Sequence, residues 1–434
     1  MSRRGRAGKA EPAAPSRKPP TAGAPAAAPE TRASAPAATV ERFPLKWWTP
    51  FAVLVPALAL SLVNIGALTF WVEDYRIMIP TASNYVRLGL LAPDNWYTQP
   101  GIHLLSALSI GLFGNDPVGW FVRTALMNAG CVLLVFLISR RLFAKVFPAV
   151  AAASLLALDP AILNFSKQPT QDIPVAFFLL LMTLFYVRAL ESDSTVDWVV
   201  GGLAAGLACA IRIYALAPVA VIIAVTLALR WRKDPSIAAT VRGCFGALPA
   251  VVYLAAFLPW AGRGNDLGGW IAMQLDAARW QAAGMGPVVP RLAGARDWLW
   301  RWMAGGVLAP TAGAFSVAMN DPVMWILLLP SAGFLLWRGW KERSAGWLVV
   351  GGTFVLMYAL FAISSRPINL YSALPVLPFG FMALGFAADR LLGSKAWWFL
   401  AAAVVWSLYL LPLAVGLPVN EALYGWLLRI AGTR

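Results

Sequence analysis

Three acidic residues, at two places in the sequence, could take a proton from a hydroxyl group. Glu73 and Asp74 stand side by side directly after an apolar run, and Asp172 directly precedes another apolar run. A carboxylate beside an acceptor hydroxyl can act as a general base. Acids that follow a helix are also commonly just solvated, so these residues form a site only if they meet on one face of a membrane.

Two arginines stand apart from the other basic residues. Arg212 has apolar residues on both sides, and Arg366 lies in the short polar stretch from Ser364 to Tyr371. A planar guanidinium matches the oxygens of a phosphate or pyrophosphate in a bidentate manner. Charges at the ends of spans cost free energy unless they are paired or face water, so both are candidate phosphate ligands. For Arg212 the alternative is a side chain that extends to the membrane surface.

The elements that must position these residues are helices in a membrane. Of 434 residues, 59% are apolar and 13% are charged, and the mean hydropathy is +0.67. That leaves too little polar surface to cover a water-soluble globule. A spanning helix needs about 20 apolar residues, and such runs recur along the chain. We therefore predict an all-α polytopic membrane protein with about eleven transmembrane helices and external interfacial helices.

The predicted spans are 49–70, 101–114 with 117–138 as one span and a partial one, 146–163, 173–190, 197–212, 214–230, 242–260, 322–339, 345–363, 371–391 and 396–415. With a cytoplasmic N-terminus, the basic clusters between them all fall on the inner side, as the positive-inside rule requires. The formal charge of +15 is therefore spread over loops rather than gathered on one soluble face. We expect no nucleic-acid partner.

Composition divides the chain into four parts. Residues 1–42 are rich in Ala, Pro, Arg and Lys and are expected to form a disordered cytoplasmic tail. Residues 43–260 would form a transmembrane catalytic module and residues 322–434 the C-terminal transmembrane helices. Between them, residues 261–321 interleave tryptophans with arginines, a composition typical of helices lying in the membrane interface. This loop would be a structural lid or a gate for substrate.

The order of these features resembles the polyprenyl-phosphate-dependent glycosyltransferases of the GT-C fold, in particular the protein mannosyltransferase and aminoarabinose transferase group. In that group the first external loop begins with an Asp-Glu pair, followed by Ala and Gly. Asp74, Ala82 and Gly89 reproduce this spacing, while Tyr75 stands where the group usually has Glu. The similarity continues from Tyr97 to Leu105, where Gln99 replaces a basic residue, and through Arg123, Arg140, Asp159 and Asp172 to the Gly-rich helix ending at Arg212.

The resemblance implies an inverting transfer of a sugar from a polyprenyl-phosphate donor to an acceptor on the outer face of a bacterial inner membrane. Asp74 would be the base, with Glu73 as the reserve, and Asp172 would orient the acceptor or the first loop. Arg212 and Arg366 would hold the lipid phosphate. Partners would be the lipid-linked sugar donor and membrane lipid, and the substrate-binding residues would be Tyr75, Gln99, His103 and Tyr371.

Metal and thiol chemistry have little support in the sequence. His103 is the only histidine and has no second His or Cys nearby, so we expect a structural hydrogen bond or a contact with the donor headgroup. Some members of the group use a divalent ion, but the residues give no basis for predicting a metal or another cofactor. We expect Cys131, Cys209 and Cys244 to be packing residues, and the glycines Gly201, Gly202 and Gly206 to allow close helix contact.

Two other functions remain open. A transporter or flippase for lipid-linked sugars could use boundary arginines, but it should show repeated halves with broken helices near the midplane, and no convincing repeat is found. A non-catalytic scaffold with the same fold is the second alternative, favoured by the tyrosine at position 75.

Overall fold

The structure is a computed structural model that describes residues 46, 48–66, 74–92, 94, 99–231, 234–283, 297–302, 304–311, 314–363 and 370–431. Of residues 74–76, 280–283, 304–311, 314, 315 and 431, only the backbone is described. The predicted tail of residues 1–42 lies outside these ranges.

Helices dominate the described chain. The first half contains α1 (Thr49–Leu62), α2 (Asp74–Leu88), α3 (Pro100–Phe113), α4 (Pro117–Phe143), α5 (Val146–Leu158), α6 (Pro160–Phe165), α7 (Asp172–Ser192), α8 (Thr195–Ile211) and α9 (Leu216–Arg230). Helices α3, α4 and α6 begin with proline, which fits the first turn because its missing N–H would have no intrahelical partner there.

The second half begins with α10 (Ser236–Val241) and α11 (Leu248–Ala255), which are joined by a π-helical segment, Arg242–Ala247. The elements that follow are α12 (Leu258–Gly262), α13 (Leu267–Ala283), β1 (Ala304–Thr311), β2 (Ala314–Met319), α14 (Pro322–Trp325), α15 (Leu328–Glu342), α16 (Ala345–Ile363), α17 (Leu377–Leu392), α18 (Ala396–Val415) and α19 (Glu421–Ala431).

Many of these helices are built to cross a membrane. Within the described residues, seven helical segments are long and apolar enough to do so: 117–143, 172–192, 213–230, 236–255, 322–342, 345–363 and 377–415. The last contains both α17 and α18, and the shorter helices α1, α3, α5 and α8 are also apolar. The protein is therefore a multi-pass integral membrane protein, as predicted, while the count of about eleven crossings stays a prediction.

Small residues let the helices approach closely. A Cβ on Gly202 would lie 2.0 Å from the carbonyl oxygen of Cys244, and one on Gly206 would lie 2.5 Å from the Val252 side chain. The prediction that these glycines serve helix packing is confirmed. Cys131 and Cys209 are buried, and both belong to the main hydrophobic core, as expected of packing residues.

The segment between α12 and α14 differs from the interfacial helices predicted for residues 261–321. Besides α13 it contains an antiparallel hairpin of β1 and β2, with Val307 opposite Val317. Glycine and proline in β1 disfavour a helix, and Val317 and Met319 of β2 are buried in a cluster with Leu410 of α18. One of the loop tryptophans, Trp298, is also buried, so part of this segment is core rather than membrane surface.

Candidate active site

A buried carboxylate lies at the start of α7. Asp172 is 1% exposed, and the hydroxyl of Tyr214 donates a hydrogen bond of 2.5 Å to its Oδ1 atom. Asp172 also occupies the first turn of α7, where the helix dipole favours a negative charge. Helices α7 and α8 pack side by side, and Tyr214 lies in the 3-10 turn that follows α8. This packing brings Tyr214 to Asp172.

Arg212 ends α8 and begins the turn that carries Tyr214. Its backbone is extended (φ −148°, ψ 122°), and its N–H donates to the Ala208 carbonyl as the last bond of the helix. The chain then turns through the 3-10 segment Ile213–Ala215 into α9. The half-buried guanidinium interacts electrostatically with the Tyr214 hydroxyl, so Asp172 and Arg212 both approach the same tyrosine.

Tyr371 reaches the same place from the C-terminal part of the chain. It lies in the 3-10 turn Leu370–Ala373, and its hydroxyl also interacts electrostatically with that of Tyr214. Its ring packs edge-on against Phe165 at the end of α6, with centroids 5.9 Å apart. The Tyr214 hydroxyl therefore binds Asp172 and lies within electrostatic range of Arg212 and Tyr371.

The start of α3 lies against the end of α8. A Cβ on Gly101 would lie 2.5 Å from the carbonyl oxygen of Ala210, so only glycine permits this approach. Gln99, two residues earlier, is the N-cap of α3 and is buried. Ala210 stands two residues before Arg212, so this contact brings the beginning of α3 close to the end of α8 that carries Arg212.

His103 is fully buried one turn into α3. Its Nδ1 atom lies 2.8 Å from Oδ1 of Asp94, in the loop between α2 and α3. The Tyr85 hydroxyl of α2 donates to the other oxygen of Asp94. Burial, and then the bond to Asp94, raise the pKa of Tyr85 above its ordinary value. Asp94 thus lies between Tyr85 of α2 and His103 of α3, and the role of His103, a structural hydrogen bond or a contact with the donor headgroup, stays a prediction.

A buried arginine lies between α2 and the connection before Asp172. Arg123 of α4 is 5% exposed, and its two terminal nitrogens lie 3.4 Å from Sδ of Met78 and 3.4 Å from the carbonyl oxygen of Thr170. Met78 is one helical turn beyond Asp74, at which α2 begins. The start of α2 and the approach to Asp172 therefore lie beside the same guanidinium.

Four predicted site residues cannot be placed by their side chains. Glu73 and Arg366 lie outside the described residues, and for Asp74 and Tyr75 the backbone alone is described, as the first two residues of α2. Their roles stay predictions. In the described part of the chain, no group of three or more His, Cys, Asp or Glu residues could hold a metal ion.

Buried charges also occur outside this cluster. The ammonium of Lys167 lies 3.0 Å from the carbonyl oxygen of Leu60 and 3.1 Å from that of Leu163, and burial lowers the pKa of Lys167 to about 7. Asp159 caps α6, accepts a hydrogen bond from the Trp325 indole at 2.7 Å, and has its pKa raised to about 7 by burial. The contacts of Lys167 and Asp159 hold the connections before and after α6 in place, next to the candidate active site.

The amino-acid sequence is similar to those of several known transferases. The family described as dolichyl-phosphate-mannose-protein mannosyltransferase matches residues 98–261. An undecaprenyl phosphate-alpha-4-amino-4-deoxy-L-arabinose arabinosyl transferase of Pseudomonas fluorescens is 25% identical over 364 residues, which are 78% of this chain and 61% of that protein. One from Pseudomonas aeruginosa is 26% identical over 70% of this chain and 55% of its own length.

Solved structures have the same fold at low sequence identity. ArnT from Cupriavidus metallidurans bound to undecaprenyl phosphate aligns with a TM-score of 0.60 at 18% identity, covering 83% of this chain and 64% of ArnT. A chain of the S. cerevisiae protein O-mannosyltransferase Pmt1-Pmt2 complex aligns with a TM-score of 0.73 at 11% identity, covering 90% of this chain and 93% of its own.

The chain is a GT-C fold protein, as the sequence predicted. In sequence it is similar to the protein mannosyltransferase family over residues 98–261 and to the arabinosyl transferases along most of its length. It spans 61% and 55% of the length of the two curated arabinosyl transferases.

Three residues of this region were not singled out by the sequence. Tyr214 stands two positions after Arg212 without a distinctive pattern, and Arg123 enters only through the resemblance. Asp94 stands in a polar stretch with no distinctive pattern. Their positions become meaningful only through tertiary contacts. Tyr214 contacts Asp172, Arg123 contacts Thr170, and Asp94 contacts His103. A buried charge inside an apolar span was the available signal for Arg123.

Proposed function

We propose that the protein is a membrane glycosyltransferase that moves a sugar from a polyprenyl-phosphate donor to an acceptor hydroxyl on the outer face, with inversion. The observation that carries the proposal is the buried Asp172–Tyr214 pair beside Arg212. It lies at the start of α7, on a fold shared with proteins that are named for transfer from lipid phosphates.

The reaction needs a base and a cationic site. The acceptor oxygen attacks the anomeric carbon while the bond from that carbon to the phosphate oxygen breaks, which inverts the configuration. The acceptor proton passes to Asp74, or to Glu73 if the neighbouring carboxylate is the base. The lipid phosphate departs with the bonding electrons, and Arg212 and Arg366 stabilise its charge.

The described geometry supports a positioning role for Asp172. Its carboxylate is buried and hydrogen-bonded, so it is held in place rather than open to a bulky acceptor. The connection before it contacts Arg123, which in turn contacts Met78 of α2. Asp172 would therefore orient the first external loop and with it Asp74.

The remaining predicted residues would line the substrate site. Gln99 and His103 lie at the start of α3, where it meets α8, and Tyr371 lies beside Tyr214. Tyr75 follows Asp74 in α2. The donor class we propose is an undecaprenyl-phosphate sugar, as in the names of the related transferases, and the location is a bacterial inner membrane with the N-terminus inside.

Reconstitution tests the function. Purified full-length protein in nanodiscs is given an undecaprenyl-phosphate sugar, and release of undecaprenyl phosphate is followed by chromatography. We expect turnover by the natural chain and loss of at least 100-fold in Asp74→Asn, the typical effect of removing a general base. Asp116→Asn, a change at an exposed carboxylate that caps α4, is the matched control and should keep full activity.

The possible results separate the three functions. Full turnover by Asp74→Asn together with Glu73→Gln would overturn the assignment of the base. Donor that binds but is never cleaved would indicate a scaffold. Donor that changes leaflet without cleavage would indicate a flippase.

A further inference from the structure

A cavity lies at the opposite end of α7 from Asp172. It has a volume of about 580 Å³ and is formed by the ends of α4, α7 and α9 and the start of α16. Because α7 runs from Asp172 to Ser192, the cavity and the candidate active site lie on opposite faces of the helical bundle. We call this the basic cavity, since Arg141, Arg230 and Arg343 line it.

The charges in the basic cavity leave an excess of positive charge. Its acids are Glu191, which pairs with Arg141 at 2.7 Å, and Asp234, which accepts hydrogen bonds from the backbone and side chain of Ser236. Arg230 donates a long hydrogen bond, 3.4 Å, to the Leu190 carbonyl and interacts electrostatically with Asp234. Within the described ranges Arg343 has no acidic partner. Three guanidinium groups thus face two carboxylates.

The backbone adds to this potential. Ser344, Ala345 and Gly346 line the basic cavity at the N-terminus of α16, a helix of 19 residues. The free N–H groups and the dipole of such an end favour an anion. The arginine side chains and the helix end therefore favour the same kind of ligand.

The other walls of the basic cavity are apolar. Leu142, Val187, Leu190 and Leu229 line it alongside the arginines. A small hydrated anion would leave this surface uncovered, whereas a ligand with both a phosphate and hydrocarbon chains would cover it. Basic pockets between transmembrane helices recognise anionic lipid headgroups in this way.

Arg343 also has an unusual backbone conformation. It ends α15 in the left-handed region, with φ 51°. Glycine is favoured there because it has no Cβ, and a long side chain costs conformational energy. The chain carries an arginine at a position where the backbone favours glycine, next to a cavity that gains charge from it.

We propose that the basic cavity binds the phosphate diester of an anionic glycerophospholipid, with the guanidinium groups of Arg230 and Arg343 on the phosphate and the acyl chains along Leu142 and Leu229. The proposal goes beyond the glycosyltransferase function and does not depend on it.

Titration of the full-length protein in detergent tests the site. Phosphatidylglycerol, phosphatidylcholine with the same acyl chains, and inorganic phosphate are added separately, and bound molecules are counted by native mass spectrometry. We expect one tight site for phosphatidylglycerol, weaker binding of phosphatidylcholine and no retained phosphate. Arg343→Gly and Arg230→Ala should each weaken phosphatidylglycerol binding about fivefold.

The glycine variant separates binding from folding. Arg343→Gly removes the guanidinium and relieves the left-handed backbone, so it should not lower the melting temperature. The matched control is Ala144→Gly, which relieves the same conformation at the end of α4 (φ 55°) without removing a charge. Unchanged phosphatidylglycerol affinity in both arginine variants would overturn the site. Retention of inorganic phosphate with the same arginine dependence would overturn the lipid as the ligand.

Discussion

At the scale of single residues, the candidate active site depends on how Asp172 is stabilised. Burial of a carboxylate costs free energy unless donors or positive charge compensate it. Asp172 has the Tyr214 hydroxyl at 2.5 Å and the N-terminal dipole of α7. A carboxylate held by these groups keeps one orientation, which suits a residue that positions others.

Replacing Tyr214 with phenylalanine should lower activity while the fold survives. The change removes the donor to Asp172 and leaves the volume nearly the same. An interrupted bond to a buried charged group costs about 1–3 kcal/mol, so we expect sugar transfer to fall about 5- to 100-fold. The measurement is the rate of undecaprenyl phosphate release in nanodiscs.

Tyr186→Phe is the matched control for that change. Tyr186 is a buried tyrosine whose hydroxyl lies 2.8 Å from Thr226, toward the other end of α7. It should keep its transfer rate even if its stability falls. Equal losses of activity in the two variants would mean that Tyr214 acts only through stability.

Charge at a span boundary was the signal by which the sequence indicated Asp172 and Arg212. It could not indicate Tyr214 or Asp94, because neither a tyrosine after an arginine nor an aspartate in a polar loop is unusual. Their meaning comes from partners such as His103, which is nine positions from Asp94 across a loop. Tertiary contacts of this kind have no local pattern in a sequence.

At the scale of elements, the contact between α3 and α8 controls where the proposed substrate-binding residues Gln99 and His103 lie. Gly101→Ala would place a Cβ 2.5 Å from the Ala210 carbonyl oxygen, which is backbone and cannot move aside cheaply. We expect α3 to shift, and transfer to fall at least tenfold, since small displacements of positioning residues have large effects on rate. Transfer assays in nanodiscs measure the effect.

The same helix provides the control. Gly111 of α3 has nothing within 4 Å of where its Cβ would be, so Gly111→Ala should keep full activity and stabilise the helix slightly. If Gly101→Ala were as active as Gly111→Ala, the close contact with α8 would have no part in the site.

Apolar runs gave most helices to within a few residues, because the requirement for lipid-compatible length acts on local sequence. They could not give the hairpin of β1 and β2. Its residues are small and apolar like those of the helices, and the burial of Val317 and Met319 in β2 depends on α18, about a hundred positions later. The strand conformation of β1 and β2 therefore depends on strand pairing and tertiary contacts rather than on composition.

At the scale of the whole molecule, two capping aspartates join the early and late parts of the chain. Asp159 accepts from the indole of Trp325 at 2.7 Å, and Asp321 accepts from that of Trp406 at 3.2 Å. Each also caps a short helix, α6 and α14 respectively. These carboxylates therefore hold connections on the face that carries the candidate active site.

The two aspartates predict that the protein loses stability as the pH rises from about 4 to 7. Burial raises the pKa of Asp159 to about 7 and that of Asp321 to about 6, above the value of about 3.9 in an unfolded chain. The folded state therefore binds more protons in this range, and its advantage is complete below about pH 4 and lost as the pH passes 7. Thermal unfolding in detergent, followed at pH 4.5 and 7, should give a lower melting temperature at pH 7.

The double variant Asp159→Asn with Asp321→Asn isolates this cause, because asparagine resembles the protonated acid and cannot ionise. Its melting temperature should vary less between pH 4.5 and 7, whereas Asp116→Asn, at an exposed cap of α4, should vary like the natural chain. Lys167 has a pKa of about 7 in the folded state and about 10.4 unfolded, so its contribution begins only near the upper end of this window and has the opposite sign. A double variant with the full pH dependence would show that other carboxylates carry it.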